Sequence, residues 1–570
     1  MVFRSRFLRG LSRSHVYWLS WAVVLIACVY VGRIHLFFWQ HAGAIGSDDA
    51  YTMSVGERLI SGHWLPYVDG SSHRGPLLYW VAAVSQVLTG RYGWHGARLL
   101  SMVTTYGTLL GVFAVGRVAR RPLAGALAAL FYAWSVLTVL VPSPAYAVTG
   151  EGLMAPLCVL SILFAARALL RTVAARRRAM WLAVAGVFAA LAGLAKQTAV
   201  PLAAPLGLWI LAHLWSTPAI TPRERVRSLA AFIGGFFLPL TAVVLLYAVI
   251  GELRTFWYWW YVYNAEVYMS AYRDVSFVDA FTGFLYERPW AVGAFFMSVS
   301  CSLVRPLGFM RASVRGMLRG YAAVGLESTT AWIALAMFVA AVAPMRFWPH
   351  YFLGVFPFVG LVIGIQAERL LLERGNPRNA TLPALAFLAL VVALGAFWAD
   401  RRHESLLFDA STGRWSTHQD EQTCQIIDSY SQPDDSLFVW GFSPDLYLSC
   451  RRKPASRYVF LTLVAGIVPP QWTTVREDRV ARGARENLLA DLDSEQPPVI
   501  VDAPAPMGHV SMLSVPQIGE YLPANYCNRG TLNLTYGGQA TLWVRRDLPA
   551  CSLPPPAGAA TVAPAGPPPP

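Results

Sequence analysis

Long apolar stretches recur through residues 16–398 of this chain, and they constrain its fold more than any other feature. A helix needs about 20 mainly apolar residues to cross a bilayer. With 55% hydrophobic and only 14% charged residues, the chain is too apolar for an ordinary soluble protein. We predict a mainly α-helical, polytopic membrane protein with about eleven transmembrane helices. The stretches lie near 16–38, 97–116, 123–141, 150–170, 180–195, 198–216, 229–250, 290–304, 321–343, 350–368 and 380–398.

Arginines in the loops between these stretches indicate the orientation. They cluster before the first stretch and after the second, fourth, sixth, eighth and tenth, so they share one side of the membrane. That side should be the cytoplasm, where such loops carry an excess of positive charge. The basic N-terminus, residues 1–15, is then cytoplasmic, and the chain beyond residue 400 lies outside the cytoplasm. The first stretch lacks a clear cleavage site, so we expect a retained anchor rather than a signal peptide.

The net charge of +14 comes mostly from these loop arginines. A nucleic-acid surface would concentrate basic charge on one face, whereas here the charge is spread over short loops. We therefore expect membrane lipids, and no nucleic acid, as partners. No phosphate-binding loop or dinucleotide fingerprint occurs in a strand–helix context, so no nucleotide cofactor is expected.

The C-terminal part of the chain has shorter apolar runs. Buried strands are predicted at 435–440 and 498–501, a helix at 486–492, and a hairpin at 532–545 around Gly537-Gly538. Residues 400–552 therefore predict an extracytoplasmic mixed α/β domain, since this length suffices for a core of its own. The Pro- and Ala-rich tail, 553–570, cannot bury a core and is predicted to be disordered.

Four cysteines, Cys424, Cys450, Cys527 and Cys551, fall in this predicted domain. An oxidising compartment favours disulfides, and four cysteines allow three pairings. Joining the neighbours, Cys424 with Cys450 and Cys527 with Cys551, is the simplest of the three, and the sequence leaves all of them open. No spacing resembles a zinc site, so no structural metal is predicted.

Two adjacent carboxylates, Asp48 and Asp49, follow the first apolar stretch in an outer loop at 39–96. Apolar side chains then recur at helical spacing, namely Tyr51, Val55 and Leu59. This pattern predicts a short helix on the membrane surface with both acids at its N-terminus, where the helix dipole favours negative charge. Two interpretations stay open, because Asp48 either caps this helix or takes part in acid–base chemistry.

Further polar groups are predicted on the same outer side of the membrane, at the ends of apolar stretches. They are His73, Arg74, Glu151, Lys196, Arg346, His350 and Tyr351. Each alone has a plainer explanation, such as contact with lipid headgroups or snorkelling to water. Together they are candidates for binding an anionic substrate, because an arginine can hold a phosphate with two parallel hydrogen bonds.

The second outer loop, 251–289, is rich in Trp and Tyr between Phe256 and Asn264. An aromatic belt at the membrane interface is the main interpretation. Stacking against sugar rings, or guiding a lipid chain, is a second interpretation, because aromatic side chains present rigid apolar faces.

Several short motifs occur in a fixed order along the chain. They are Asp48-Asp49, Gly62–Tyr67, Arg74–Trp80, Ala97–Ser101, Glu151, Leu191–Thr198 and Arg346–Pro357. This order resembles bacterial glycosyltransferases of the GT-C superfamily. The likeness is greatest to the family 39 enzymes related to protein O-mannosyltransferases and to the lipid A aminoarabinose transferase. It covers most of residues 40–370, so residues 16–399 are expected to form a GT-C-like transmembrane catalytic domain.

The resemblance implies a sugar donor carried on a polyprenyl phosphate and a lipid, glycan or protein acceptor. It also implies inverting transfer at the outer face of a bacterial plasma (inner) membrane. Asp48 takes the place of the family's catalytic base, and Asp49 stands where relatives usually carry Glu. Arg74, where relatives often carry Lys, would stabilise the leaving phosphate together with Lys196, Arg346 and His350. The scheme needs no metal, and a divalent cation at Asp48 and Asp49 is a weaker alternative.

Two other functions stay open. A secondary transporter would carry ionisable residues near the midpoints of its spans and an internal repeat between its halves. A non-catalytic membrane scaffold would leave Asp48 dispensable. The gathering of polar groups at the outer ends of the spans favours the transferase.

Overall fold

The computed structural model describes most of the chain. The described residues are 13–40, 47–138, 148–270, 276–287, 314–345, 347–372, 408–409, 414–415, 419–467, 474–504, 510–534 and 539–552. The predicted spans at 290–304 and 380–398 lie outside these residues, as do Arg346 and the tail at 553–570.

The chain divides into two compact units. Unit 1 comprises Met1–Phe37, Ser101–Gly251 and Val275–Leu406, and unit 2 comprises Phe38–Leu100, Glu252–Asp274 and Leu407–Pro570. The first outer loop and the aromatic part of the second therefore group with the C-terminal residues in unit 2. We describe the two units separately.

Long apolar helices make up unit 1. Their bounds, including the two helices that continue into unit 2, are Arg13–Gln40, Trp94–Val118, Pro122–Thr138, Gly150–Leu169, Ala175–Ala195, Ala203–Ser216, Pro222–Val249, Phe277–Glu287, Val314–Val342 and Phe356–Leu372. Seven helices of the described residues are long and apolar enough to cross a membrane. Every predicted span that falls within the described residues coincides with a helix. The chain is a mainly α-helical, multi-pass membrane protein, as predicted.

Close helix packing in unit 1 depends on small residues. A Cβ on Gly235 would lie 2.1 Å from the carbonyl oxygen of Ala183, and one on Gly186 would lie 2.2 Å from that of Phe232. The helices Ala175–Ala195 and Pro222–Val249 therefore cross almost backbone to backbone, as small residues permit in membranes. The outward side of Pro222–Val249 is apolar, and its Val249 is 85% exposed, as expected for a helix that faces lipid.

In unit 2, two helices lie on either side of the segment that carries Arg74. The Asp48 helix, Ser47–Ser61, precedes it, and Pro76–Thr89 follows it. Gly75 and Pro76 start the second helix, because proline fits the first helical position, where its missing N–H has no partner to lose. Gly90, with a φ of 104°, ends it.

The Asp48 helix does not lie on a surface with one free face. Its residues 49–57 are all buried, because the helix packs against Pro76–Thr89 on one side and against C-terminal residues of unit 2 on another. The helix itself was predicted correctly. The prediction that it lies on the membrane surface did not anticipate that protein covers it on more than one side.

The aromatic loop is helical as well. The short helix Leu253–Trp257 continues into two π-helical turns, Tyr258–Val262 and Asn264–Tyr268. Turns with this wider hydrogen-bond spacing are rare in proteins, and those that occur are often found at functional sites.

The C-terminal residues of unit 2 form a mixed α/β domain. Its five-stranded sheet has the order β4-β3-β5-β7-β6, from β3 (Ser436–Gly441), β4 (Lys453–Pro454), β5 (Val499–Ala503), β6 (Tyr526–Asn533) and β7 (Gln539–Arg545). Strand β3 runs parallel to β4 and β5, and β7 runs antiparallel to β5 and β6. The helices are Gln419–Asp428, Asp445–Ser449, Thr462–Ala465, Ala484–Glu495 and Ile518–Asn525, and a two-stranded pair joins β1 (Phe408–Asp409) to β2 (Arg414–Trp415). The predicted strands and helix are confirmed, and β6 pairs with β7 as a hairpin requires. Gly537-Gly538, the predicted turn, lie outside the described residues.

Two disulfides join neighbouring cysteines of this domain. Cys424 bonds to Cys450, and Cys527 bonds to Cys551. The first ties the helix Gln419–Asp428 to the residue after Asp445–Ser449, and the second ties β6 to the end of the described chain. The simplest of the three open pairings is therefore the one that the structure contains.

Candidate active site

The first turn of the Asp48 helix carries both predicted acids. The side chain of Asp48 is 37% exposed, whereas Asp49 is 1% exposed. The dipole of the helix favours negative charge at this end. Only Asp48 has the access that a carboxylate needs to take a proton from a substrate, so the two adjacent acids differ in what they can do.

Arg74 binds Asp48 directly. One guanidinium nitrogen of Arg74 donates to Oδ1 of Asp48, and the other donates to Oγ1 of Thr52 over 3.2 Å. The guanidinium also lies 5.0 Å from the ring centre of Tyr51, in a cation–π contact. Thr52 follows Asp48 by one helical turn, so a single face of the helix presents the acid and the hydroxyl to Arg74.

The charge of Arg74 is secured by this pairing. Burial alone would lower the pKa of the Arg74 guanidinium, but the charge of Asp48 holds that pKa well above its ordinary value. The pair is thus a permanent cation beside an accessible carboxylate.

Three side chains hold the backbone on which Arg74 stands. The Tyr51 hydroxyl donates to the carbonyl of Ser71 over 3.1 Å, and the Tyr67 hydroxyl donates to that of Arg74 over 2.7 Å. The amide of Asn264 donates to the carbonyl of His73 over 2.8 Å. Hydrogen bonds to three carbonyls of this four-residue segment fix the backbone direction, so the Arg74 side chain starts from a preorganised position.

The Gly62–Tyr67 motif explains how Tyr67 reaches Arg74. The carboxylate of Asp69 accepts hydrogen bonds from the backbone N–H groups of His63 and Leu65, each over 2.8 Å. Tyr67 itself adopts a φ of 72°, which is uncommon for a non-glycine residue. The motif therefore builds a tight loop that aims the Tyr67 hydroxyl at the Arg74 carbonyl.

His73 faces the aromatic loop. Its ring stacks on Tyr268 with 4.2 Å between ring centres, and Tyr263 lies 6.1 Å away. C-terminal residues of unit 2 support the other side of the site. Phe460 stacks on Tyr51 at 4.4 Å, and the backbone N–H of Ser71 donates to the carbonyl of Arg457 over 3.0 Å.

Unit 1 contains a second group of predicted residues. Glu151 lies in the first turn of the helix Gly150–Leu169, and its carboxylate lies 3.1 Å from Nζ of Lys196, the residue that follows and caps Ala175–Ala195. Lys196 Nζ also lies 5.4 Å from the ring centre of Tyr351. The side chains of Glu151 and Lys196 are 4% and 12% exposed. His350 contacts the Tyr351 ring edge to face, with 4.8 Å between centres.

The predicted site residues thus form two groups among the residues that the structure describes. Asp48, Asp49, His73 and Arg74 lie in unit 2, and Glu151, Lys196, His350 and Tyr351 lie in unit 1. Arg346 lies outside the described residues. Each group contains a carboxylate that is already paired with a cation.

Sequence reasoning missed the residues that support Arg74. Thr52 could have been found, because it stands one helical turn after Asp48. Asn264 is the one amide side chain in Leu253–Tyr268, which is a weak signal at best. Phe460 had no local signal at all, since its contact with Tyr51 joins distant parts of the chain.

The described residues contain no group of three or more His, Cys, Asp and Glu side chains that could hold a metal ion. At Asp48, the guanidinium of Arg74 already supplies a positive charge to Oδ1. A divalent cation at Asp48 and Asp49 stays a prediction.

Comparison with known proteins adds the family context. Residues 73–247 match the family model of dolichyl-phosphate-mannose-protein mannosyltransferases. A search of curated proteins finds no significant match to the sequence. The structure of ArnT from Cupriavidus metallidurans bound to undecaprenyl phosphate has a TM-score of 0.52 at 17% identity, over 90% of this chain and 97% of that one.

The chain has the fold of the GT-C glycosyltransferases. The resemblance inferred from the motif order is therefore confirmed. Apo ArnT from the same organism scores 0.49 at 15% identity, over 93% of this chain and 98% of that one. Archaeal oligosaccharyltransferase AglB from Archaeoglobus fulgidus, in complex with an inhibitory peptide and a dolichol-phosphate, scores 0.46 at 15% identity, over 86% and 70%. These two weaker likenesses carry no part of the argument for the GT-C fold.

Proposed function

We propose that this GT-C protein transfers a sugar from a polyprenyl-phosphate donor to an acceptor on the extracytoplasmic face of a bacterial inner membrane. The observation that carries the proposal is the pairing of Asp48, an accessible carboxylate, with Arg74, a permanent cation whose side chain is 12% exposed. Displacement at a sugar carbon needs a base for the incoming group and a cation for the leaving phosphate. The undecaprenyl phosphate in the ArnT structure supports the class of donor.

In the proposed reaction, a hydroxyl or amine of the acceptor attacks the anomeric carbon of the donor sugar. The bond from that carbon to the phosphate oxygen breaks, and the phosphate leaves with the bonding electrons. Asp48 accepts the proton of the attacking group, and Arg74 stabilises the charge that grows on the phosphate. Attack from the side opposite the phosphate inverts the anomeric centre.

This geometry requires Arg74 to change partners during the reaction. In a displacement with inversion, the base and the leaving phosphate stand on opposite sides of the reacting carbon. The direct contact between Arg74 and Asp48 cannot serve both sides at once. We propose that the donor phosphate draws the guanidinium away from Asp48, so that donor binding itself uncovers the base.

The second group of residues is proposed to bind substrate. Lys196, balanced by Glu151 and lying over Tyr351, offers a cation of fixed position, and His350 lies beside it. Arg346 keeps its predicted role in binding phosphate. The acceptor, whether lipid, glycan or protein, stays open, as does the sugar.

No specific observation favours the transporter over the transferase. Two buried carboxylates among the described residues of unit 1 lie near the ends of apolar stretches. Glu151 is in the first turn of its helix, and Glu327 follows Gly325, where the helix Val314–Val342 is kinked and its apolar part, Gly325–Val342, begins. A transporter would place such groups near the midpoints of its spans.

Transfer by purified protein in nanodiscs tests the proposal. Wild type and Asp48→Asn are given a panel of radiolabelled polyprenyl-phosphate sugars, with Asp478→Asn, an exposed carboxylate, as the matched control. We expect transfer or slow hydrolysis of one donor by wild type and by the control, and none by Asp48→Asn. Equal turnover by wild type and Asp48→Asn would show that Asp48 is not the catalytic base. Absence of turnover and of Asp48-dependent binding with every donor would favour the transporter or the scaffold.

A further inference from the structure

Asn264 connects the aromatic loop to the residue before Arg74. Its amide nitrogen lies 2.8 Å from the carbonyl oxygen of His73, and 3.2 Å and 3.3 Å from those of Trp259 and Trp260. An amide has two N–H donors, so these three acceptors share them. The shortest of the three contacts leaves the loop and reaches the site.

The local helix geometry places this amide. Asn264 begins the second π-helical turn, directly after Tyr263, whose backbone N–H donates to the carbonyl of Tyr258. Trp259 and Trp260 lie in the preceding turn, so their carbonyls hold the Asn264 side chain from within the loop. The side chain is thereby fixed before it bonds to His73.

His73 is held twice by the same loop. Asn264 fixes its carbonyl, and Tyr268 stacks on its ring at 4.2 Å. Asn264 and Tyr268 are one helical turn apart, so both contacts come from one face of the loop. The peptide between His73 and Arg74 therefore has little freedom to rotate.

We infer that Asn264 is a positioning residue for Arg74, and that through it the aromatic loop sets the affinity for the phosphate of the donor. This inference rests on the proposed function. The guanidinium must move from Asp48 to the phosphate, and a side chain can make such a move reproducibly only from a fixed backbone. Without Asn264 the His73 carbonyl loses this donor, and the starting position of Arg74 is less well defined.

Two substitutions of Asn264 test this role. Asn264→Asp keeps the shape but cannot donate to the His73 carbonyl, and Asn264→Ala removes the group without adding a charge. Tyr261→Phe is the matched control, because Tyr261 belongs to the same loop, is 54% exposed and stacks only on Trp257 among the described rings. Donor KM, acceptor KM and kcat are measured, with displacement of radiolabelled polyprenyl phosphate as a binding readout that needs no turnover.

We expect both Asn264 variants to raise donor KM and to weaken polyprenyl-phosphate binding about tenfold, with acceptor KM unchanged. In an Arg74→Ala background, the same Asn264 substitutions should have no further effect, because coupled residues are not additive. The control should match wild type in every parameter.

Three outcomes decide the inference. Equal losses toward donor and acceptor, or full additivity with Arg74→Ala, would show that Asn264 supports the fold only and would overturn it. If Arg74→Ala weakens donor binding and the Asn264 variants do not, only this inference fails. If Arg74→Ala itself leaves donor binding unchanged, the proposed function of Arg74 fails. A variant that does not elute as a single species is replaced by the other.

Discussion

Two ion pairs made of predicted site residues differ in how their partners are held. In unit 2, Arg74 is bound through both terminal nitrogens and stands on a backbone fixed by side-chain hydrogen bonds, while Asp48 is 37% exposed. In unit 1, Lys196 meets Glu151 through one ammonium group, and the carboxylate is only 4% exposed. A carboxylate that reacts must be reachable, whereas one that only balances a charge is better buried. We therefore propose that Asp48 is the carboxylate that reacts and that Glu151 is a counter-ion.

Removing each carboxylate should give the largest difference between the two pairs. Asp48→Asn should lower kcat about 1,000-fold with little change in Tm, because it removes the base but keeps an oxygen for Arg74. Glu151→Gln should lower the free energy of unfolding by about 3 kcal/mol, because it leaves a buried cation without its partner, while kcat stays within about tenfold of wild type. Turnover and thermal unfolding in the same detergent measure both effects. A stable Glu151→Gln variant without turnover would contradict the counter-ion role of Glu151.

Replacing each cation by the other basic residue should have the next largest effect, on donor affinity. Arg74→Lys keeps the charge, but one ammonium cannot hold a phosphate with two parallel hydrogen bonds, so donor affinity should fall about tenfold. Lys196→Arg keeps a single contact with Glu151 and should change donor affinity less than about threefold. Titration with radiolabelled polyprenyl phosphate measures both. Equal losses of donor affinity in the two variants would mean that the planar guanidinium of Arg74 has no special role.

The comparison also indicates how far sequence reasoning could reach. Helical spacing predicted the Asp48 helix, which is observed at Ser47–Ser61, because periodicity is a local property. The pairing of Asp48 with Arg74 spans 26 positions, and the bond from Asn264 to His73 spans 191. Both bonds depend on how distant segments pack, which no local pattern encodes. Motif order supplied the candidates, and tertiary structure supplied their partners.

A buried carboxylate of the α/β domain, Asp502, is held by neutral groups, whereas Asp48 and Glu151 are each paired with a cation. Asp502 is 1% exposed and accepts hydrogen bonds from the neutral groups Ser511 Oγ and Met512 N–H. Burial raises the pKa of Asp502 to about 6, above the value near 3.9 that is usual in an unfolded chain. The folded state thus binds this proton more tightly than the unfolded state does.

The Asp502 contribution should appear as a pH dependence of stability. Folding raises the pKa of Asp502, so protonation of Asp502 stabilises the folded state. This stabilisation is complete below about pH 4 and is lost as the pH rises through about 6. A shift of this size corresponds to roughly 3 kcal/mol between the two limits. Thermal unfolding of wild type and Asp502→Asn from pH 4 to 7 measures it, and the variant should lack this slope. Identical slopes would contradict the raised pKa.

The smallest effect is expected where an ion pair is exposed on both sides. Arg482 lies 3.1 Å from Glu266 of the aromatic loop, but the two side chains are 72% and 61% exposed, and such pairs contribute less than about 1 kcal/mol. The Tyr258 hydroxyl accepts from the backbone N–H of Arg482, so this second contact survives a change of side chain. Arg482→Ala should therefore change donor KM less than about twofold at low and at high salt, whereas Asn264→Asp should change it about tenfold. Equal effects would mean that the loop is held from the surface, and that the fixed backbone of Arg74 depends on an exposed charge rather than on the Asn264 amide.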